Sequence, residues 1–109
     1  MDNMYRYGIN LLLWTSDFTE ENIPLLRKVK DLGCDVVEIP IFNPEEFPAD
    51  LVRDKLEEIG LEACVCYGCE KNSDIASLDS KVRERGIERF KLALDHTKEI
   101  GAIKIGGVV

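Results

Sequence analysis

Gly8-Ile9-Asn10-Leu11-Leu12-Leu13-Trp14 is the stretch on which the fold of this chain turns. It is a short apolar run bounded by polar residues, with the length of a strand rather than a helix. Strand side chains alternate between two faces. One face is therefore expected to carry Ile9, Leu11 and Leu13, and the other Gly8, Asn10, Leu12 and Trp14. The first set is aliphatic and suits packing beneath helices. The second includes an amide and an indole, as expected of a wall that meets a ligand. Apolar character on both faces points to a buried parallel strand.

Beyond Trp14, Thr19 is an N-cap candidate, with Asn22 where a capping box places Glu or Gln. A helix is expected through Ile23, Leu25, Leu26, Val29 and Leu32, with Pro24 in its first turn and Gly33 as its stop. Val36 to Ile41 is β-branched and reads as a strand. Asn43 to Pro48 is a loop. A second helix over 49–59 is expected to bury Leu51, Val52, Leu56 and Ile59, and Gly60 ends it. Ala63 to Tyr67 reads as a third strand, followed by a polar loop from Gly68 to Asp79. A third helix, capped by Asp79 or Ser80, reaches Ile100 with Val82, Phe90, Leu94 and Ile100 among its buried positions. Gly101 stops it, and a fourth strand begins over 103–109.

Lys30-Asp31-Leu32-Gly33, Glu57-Glu58-Ile59-Gly60 and Lys98-Glu99-Ile100-Gly101 repeat one device: a charged pair, an aliphatic anchor and a capping Gly before a strand. Three such crossovers give β-α-β-α-β-α-β, an all-parallel α/β sheet with right-handed connections. A doubly wound sheet makes both strand faces aliphatic. Here Ile9, Leu11, Leu13, Val37, Ile39, Val65 and Ile105 contrast with Asn10, Trp14, Glu38, Pro40, Cys64, Cys66 and Lys104 on the alternate face. That asymmetry favours part of a (β/α)8 TIM barrel, whose interior is filled and whose upper layer lines the active site. No Gly-rich phosphate fingerprint follows the first strand.

The 109 residues suit a single domain, 1–109, with a modest core. A net charge of −7 opposes a nucleic acid or an anionic membrane as partner. The N-terminus lacks the pattern of a signal peptide, and no run is long enough to span a bilayer. Four cysteines then read as reduced thiols in a cytoplasmic protein. Cys64, Cys66 and Cys69 have spacings seen in zinc and redox sites, but a structural zinc needs four ligands, and only Cys34 and His96 remain. Buried strand hydrophobes are the simpler reading. His96 is expected to be a solvated or capping residue. Glu38 and Lys104 read as a buried pair or as substrate groups, with the pair favoured. Glu45-Glu46 and the charges of the third helix (Arg83, Glu84, Arg85, Glu88, Arg89) read as solvated faces.

Gly8-Ile9-Asn10 through Trp14, Gly33-Cys34-Asp35-Val36-Val37-Glu38-Ile39, Ala76-Ser77-Leu78-Asp79 before Val82-Arg83, and Ile105-Gly106-Gly107 occur in order along nearly the whole chain. In these pieces the chain resembles the N-terminal part of the ketose 3-epimerase group (D-tagatose, D-psicose and L-ribulose 3-epimerases) of the xylose-isomerase-like barrels. The resemblance implies roughly half of a barrel of about 250 residues. It also implies a divalent metal (Mn²⁺, Mg²⁺ or Co²⁺) held by two Glu, one Asp and one His, with the two Glu exchanging the C3 proton of a ketose through an enediolate. None of those ligands has a counterpart in this sequence. Carried over position by position, Asn10, Trp14, Cys66 and Val108 are expected on one wall of the sugar site. Asn10 stands where relatives have Tyr or Phe, and Val108 where a small residue follows the Gly-Gly pair.

The chain alone is accordingly expected to lack epimerase activity. Inosose dehydration within the same barrel superfamily is a second reading, whereas apurinic-site endonuclease work is disfavoured by the acidic charge. A third reading is a non-catalytic half-barrel that serves assembly. Four parallel strands with helices on one side are expected to leave Leu12, Trp14, Val36 and Cys66 on an uncovered face with two open edges, so a homo-oligomer is expected.

Overall fold

The computed structural model describes residues 5–108, and of Val108 the backbone alone. Val109, assigned from sequence to the fourth strand, and the first four residues lie outside the described residues. Strands β1 (Gly8–Asn10), β2 (Val36–Ile41), β3 (Glu62–Gly68) and β4 (Ile105–Val108) alternate with helices α1 (Pro24–Asp31), α2 (Ala49–Ile59) and α3 (Ser80–Glu99). The strands form one sheet in the order β1-β2-β3-β4, parallel throughout. Register places Asn10 beside Glu38 and Glu38 beside Cys64, and one step up it places Pro40 beside Cys66 and Cys66 beside Gly106. The order, direction and helix placement are those of the N-terminal half of a (β/α)8 barrel.

One face of the sheet carries the core. Val37, Ile39, Ile41, Ala63, Val65 and Tyr67 cluster with Leu26 and Val29 of α1, Val52, Leu56 and Ile59 of α2, and Ala93 of α3. Fully burying each aliphatic side chain contributes about 1.5–3 kcal/mol. The alternate positions Glu38, Pro40, Cys64 and Cys66 are absent from this cluster. Helices therefore cover one side of the strands. Gly33, Gly60 and Gly101 have φ of 89°, 69° and 73°, the left-handed cap that ends each helix and turns the chain back to the sheet.

Several sequence expectations are corrected. The first strand stops at Asn10, because the Asn10 side chain accepts from Leu12 N at 2.9 Å and starts a 3-10 turn over Leu11–Leu13. An Asn side chain that competes for backbone N–H groups favours such a break, and three leucines without β-branching do little to resist it. Only Leu11 of that run is buried. Leu13 is 70% exposed and does not pack beneath a helix. Thr19 and Asn22 form their capping box on a separate 3-10 turn over Glu20–Asn22 rather than on α1, with Asn22 accepting from Thr19 N at 2.9 Å.

Leu32, Leu51 and Leu94 are exposed rather than core. Leu32 lies past the last turn of α1, while Leu51 and Leu94 sit one position off stripes that bury Val52 and Ala93. The buried stripe of α3 is Gly86, Ala93 and Thr97, small residues that let the helix approach closely. A Cβ on Gly86 would lie 2.2 Å from the Ser73 carbonyl oxygen.

Glu45 is exposed as expected, but its partner Arg89 is not on a solvated face. Arg89 is 13% exposed and donates to both Glu45 oxygens at 2.9 and 3.3 Å, to Ser73 Oγ at 2.8 Å and to the Phe42 carbonyl at 3.1 Å. It thereby ties α3 to the loops after β2 and β3. His96 is likewise structural rather than solvated, with Nε2 donating to the Pro44 carbonyl at 2.8 Å and its ring 5.4 Å from Phe47.

Candidate functional site

The face of the sheet without helices holds a depression of about 350 Å³ lined by Gly8, Ile9 and Asn10 of β1, Val36 and Glu38 of β2, Cys64 of β3 and Lys104 just before β4. Its volume is at the small end for a ligand pocket. The lining follows from strand parity and register, which set Asn10, Glu38 and Cys64 side by side.

Two polar groups in it are fixed against each other. Asn10 Nδ2 donates to Glu38 Oε1 at 2.7 Å, while Asn10 Oδ1 is committed to Leu12 N. An amide nitrogen has two hydrogens and a carboxylate two oxygens. Among the described residues, the second N–H and the second oxygen have no hydrogen-bond partner. A donor and an acceptor side by side complement a hydroxyl, which both gives and takes a hydrogen bond. The pairing of Glu38 with Lys104 expected from sequence is not what forms. Glu38 bonds Asn10, and Lys104 is exposed with no ion pair among the described residues.

Burial pushes the Cys64 thiol up, the Lys104 charge opposes this, and Glu38 adds to it. Burial, and then Glu38, push the Cys66 thiol up. Both thiols are thus held protonated, the form that is a poor nucleophile and metal ligand. All four cysteines are free. Among the described residues no three His, Cys, Asp or Glu side chains converge to hold a metal ion, so the residues present do not fit the divalent site that the resemblance implies.

The four residues expected at the sugar wall separate. Asn10 lines the depression. Cys66 lies one step higher on the same face of β3, but it is buried rather than uncovered. Val108 pairs with Gly68 through its backbone. Trp14 is carried off the strand by the 3-10 turn and is absent from the lining of the depression, 38% exposed, with Lys28 Nζ of α1 4.3 Å above its ring. It does not share the strand face of Asn10, because that strand has already ended.

Sequence reasoning missed Phe42 and Gly68, at the C-terminal strand ends where barrels of this kind keep their sites. A Cβ on Gly68 would stand 2.8 Å from Phe42 Cε1, so the ring needs the glycine beneath it. Extending the parity of Glu38 and Pro40 by one step identifies Phe42.

The xylose isomerase-like TIM barrel family matches residues 26–107. A ketose 3-epimerase of Arthrobacter globiformis is 32% identical over 105 residues, covering 95% of this chain and 36% of that protein. An L-ribulose 3-epimerase of Mesorhizobium japonicum is 23% identical, covering 97% and 36%. A D-allulose 3-epimerase of Methylomonas sp. in complex with D-allulose superposes with a TM-score of 0.86 at 26% identity, covering 94% of this chain and 36% of that one. The chain thus spans about a third of the length of these relatives. With its parallel strands, one-sided helices and a family match over most of its length, the chain belongs to the xylose isomerase-like TIM barrel family and corresponds to the N-terminal part of its barrel.

Proposed function

We propose that this chain forms one wall of the sugar site of a cytoplasmic, metal-dependent ketose 3-epimerase. The observation that carries this is the helix-free face, where the Asn10–Glu38 pair offers one N–H and one carboxylate oxygen to a hydroxyl. Asn10 lines that wall and Cys66 lies buried one step above it on the same face, with Trp14 beyond the end of β1 and Val108 at the C-terminal end of β4. The relatives, a ketose 3-epimerase and an L-ribulose 3-epimerase, point to a ketose as the substrate and to C3 as the reacting carbon. The divalent ion and the carboxylates that move the C3 proton through an enediolate belong to later strands of a full-length barrel. This chain therefore shows no turnover alone. The open edges of β1 and β4 lead it to self-associate, which sedimentation measures.

D-tagatose, D-fructose and L-ribulose titrated into ¹⁵N-labelled chain, with and without Mn²⁺, test the reading. Saturable shifts at Asn10 and Cys66, without epimerisation, are expected. Shifts produced by an inosose but by no ketose favour the dehydratase. Shifts by neither leave the non-catalytic assembly module, and turnover by the chain alone contradicts the account.

A further inference from the structure

The Asn10 amide is held at both ends, and the two bonds are made by different parts of the fold. Its oxygen accepts from Leu12 N at 2.9 Å, which orients the NH₂ toward Glu38 Oε1 at 2.7 Å. A charge-assisted bond of that length is among the stronger ones a neutral amide makes. The first bond starts the 3-10 turn over Leu11–Leu13, and the turn is closed by Trp14 N and Thr15 N donating to Leu11 O at 2.9 Å each. Trp14 is the C-cap of that turn and meets Lys28 of α1. A continuous run of contacts thus links a carboxylate on β2 to the indole of Trp14. Glu38 itself takes no part in the apolar core, whose β2 members are Val37, Ile39 and Ile41.

We propose that Glu38 is the positioning residue of this wall: through Asn10 it sets where β1 ends and where Trp14 stands. The role rests on reading this face as the sugar wall. Without Glu38 the amide is tied only through its oxygen, the cap on Leu12 loosens, and the indole loses its fixed place beside Lys28.

Trp14 is the only tryptophan in the chain, so its emission reports the arrangement directly. The test compares Glu38→Gln, Glu38→Leu, Asn10→Leu and the Leu double variant by emission maximum and acrylamide quenching, with far-UV circular dichroism to follow the fold. Gln keeps an acceptor oxygen, so E38Q is expected to match the parent chain. E38L and N10L are expected to shift the maximum and raise the quenching constant by the same amount. The double variant is then no more displaced than either single one, as for residues acting in one chain of contacts. Emission of E38L identical to the parent, equal disturbance by E38Q and E38L, or additive effects would overturn the proposal.

Should E38L fail to fold, the Asn10 side-chain NH₂ in the parent chain decides. One proton shifted downfield and slow to exchange supports the bond to Glu38, and two equivalent solvent-like protons refute it. No arm contains sugar, so failure of the ketose titration and failure of this role are separate results.

Discussion

Replacing Gly86 with Ala sets two sizeable effects against each other. Gly86 lies inside α3, where Ala is the better helix former by about 1 kcal/mol, and helix propensity alone makes G86A stabilising. The added Cβ, however, meets the Ser73 carbonyl oxygen at 2.2 Å, the Ser73 carbonyl carbon at 2.9 Å and Ile75 Cγ2 at 3.0 Å. Two of those atoms are backbone and have no rotamer to yield. Ser73 is also held by its N–H on the Glu70 carbonyl at 3.0 Å and by Arg89 Nη1 at 2.8 Å, so the loop cannot retreat alone. Overpacking of this kind costs about 1–3 kcal/mol and more where the backbone must move. Because backbone must move here, the cost lies at the upper end, about 3 kcal/mol, and a net loss of about 2 kcal/mol is expected after the propensity gain is subtracted. Urea unfolding followed by circular dichroism measures it, with the exposed α3 variant Glu84→Ala as a control expected within about 0.5 kcal/mol of the parent. A G86A midpoint equal to or above the parent's would show that α3 does not press on the 71–73 turn.

Arg89→Ala removes four hydrogen bonds, strands the Phe42 carbonyl and leaves the Ser73 hydroxyl only its 3.5 Å bond to the Glu70 carbonyl, so a loss of about 2–4 kcal/mol is expected in the same unfolding assay. At Glu45 burial acts to raise the carboxyl, but hydrogen bonds from Arg89 and the backbone, with the Arg89 charge, prevail and hold it below its ordinary value. A depressed carboxyl stabilises the fold above its unfolded value, and that contribution disappears as pH falls through the folded one. Acid titration of stability should therefore be shallower in Glu45→Gln than in the parent; parallel profiles would exclude the Glu45–Arg89 linkage. Under native conditions Cys64 and Cys66, buried with raised thiols, should react with a disulfide reagent more slowly than the half-buried Cys34 and Cys69, as peptide mapping of early adducts will read out.

Much of the fold was legible because it rests on local chemistry. Three glycines after aliphatic anchors ended three helices in the left-handed conformation, and the β-branched run from Val36 to Ile41 formed a strand with the expected parity. The contrast between Val37, Ile39 and Val65 and Glu38, Cys64 and Cys66 identified the covered face. Period-two counting could not see that one amide, Asn10, bonds its own backbone and ends the strand, which moved Trp14 off the strand face that Asn10 occupies. Nor does charge patterning distinguish Arg89 from its solvated neighbours. Its place beside the Gly86–Ala93–Thr97 stripe does, once the stripe is read through small residues rather than large apolar ones. Lys104 missed Glu38 because β3 lies between them: the register sets Glu38 beside Cys64 and Val65 beside Ile105, which leaves the lysine a strand away.

The account depends on helices covering only the odd-numbered face of the strands. Methyl and aliphatic NOEs between helices and strands measure this whatever the state of association. Contacts from Leu26, Val29, Val52, Leu56 and Ala93 should reach Val37, Ile39 and Val65 and none should reach Val36, Cys64 or Cys66. Helix contacts to Val36 or Cys66 would place a second layer over the Asn10–Glu38 depression and contradict the barrel wall.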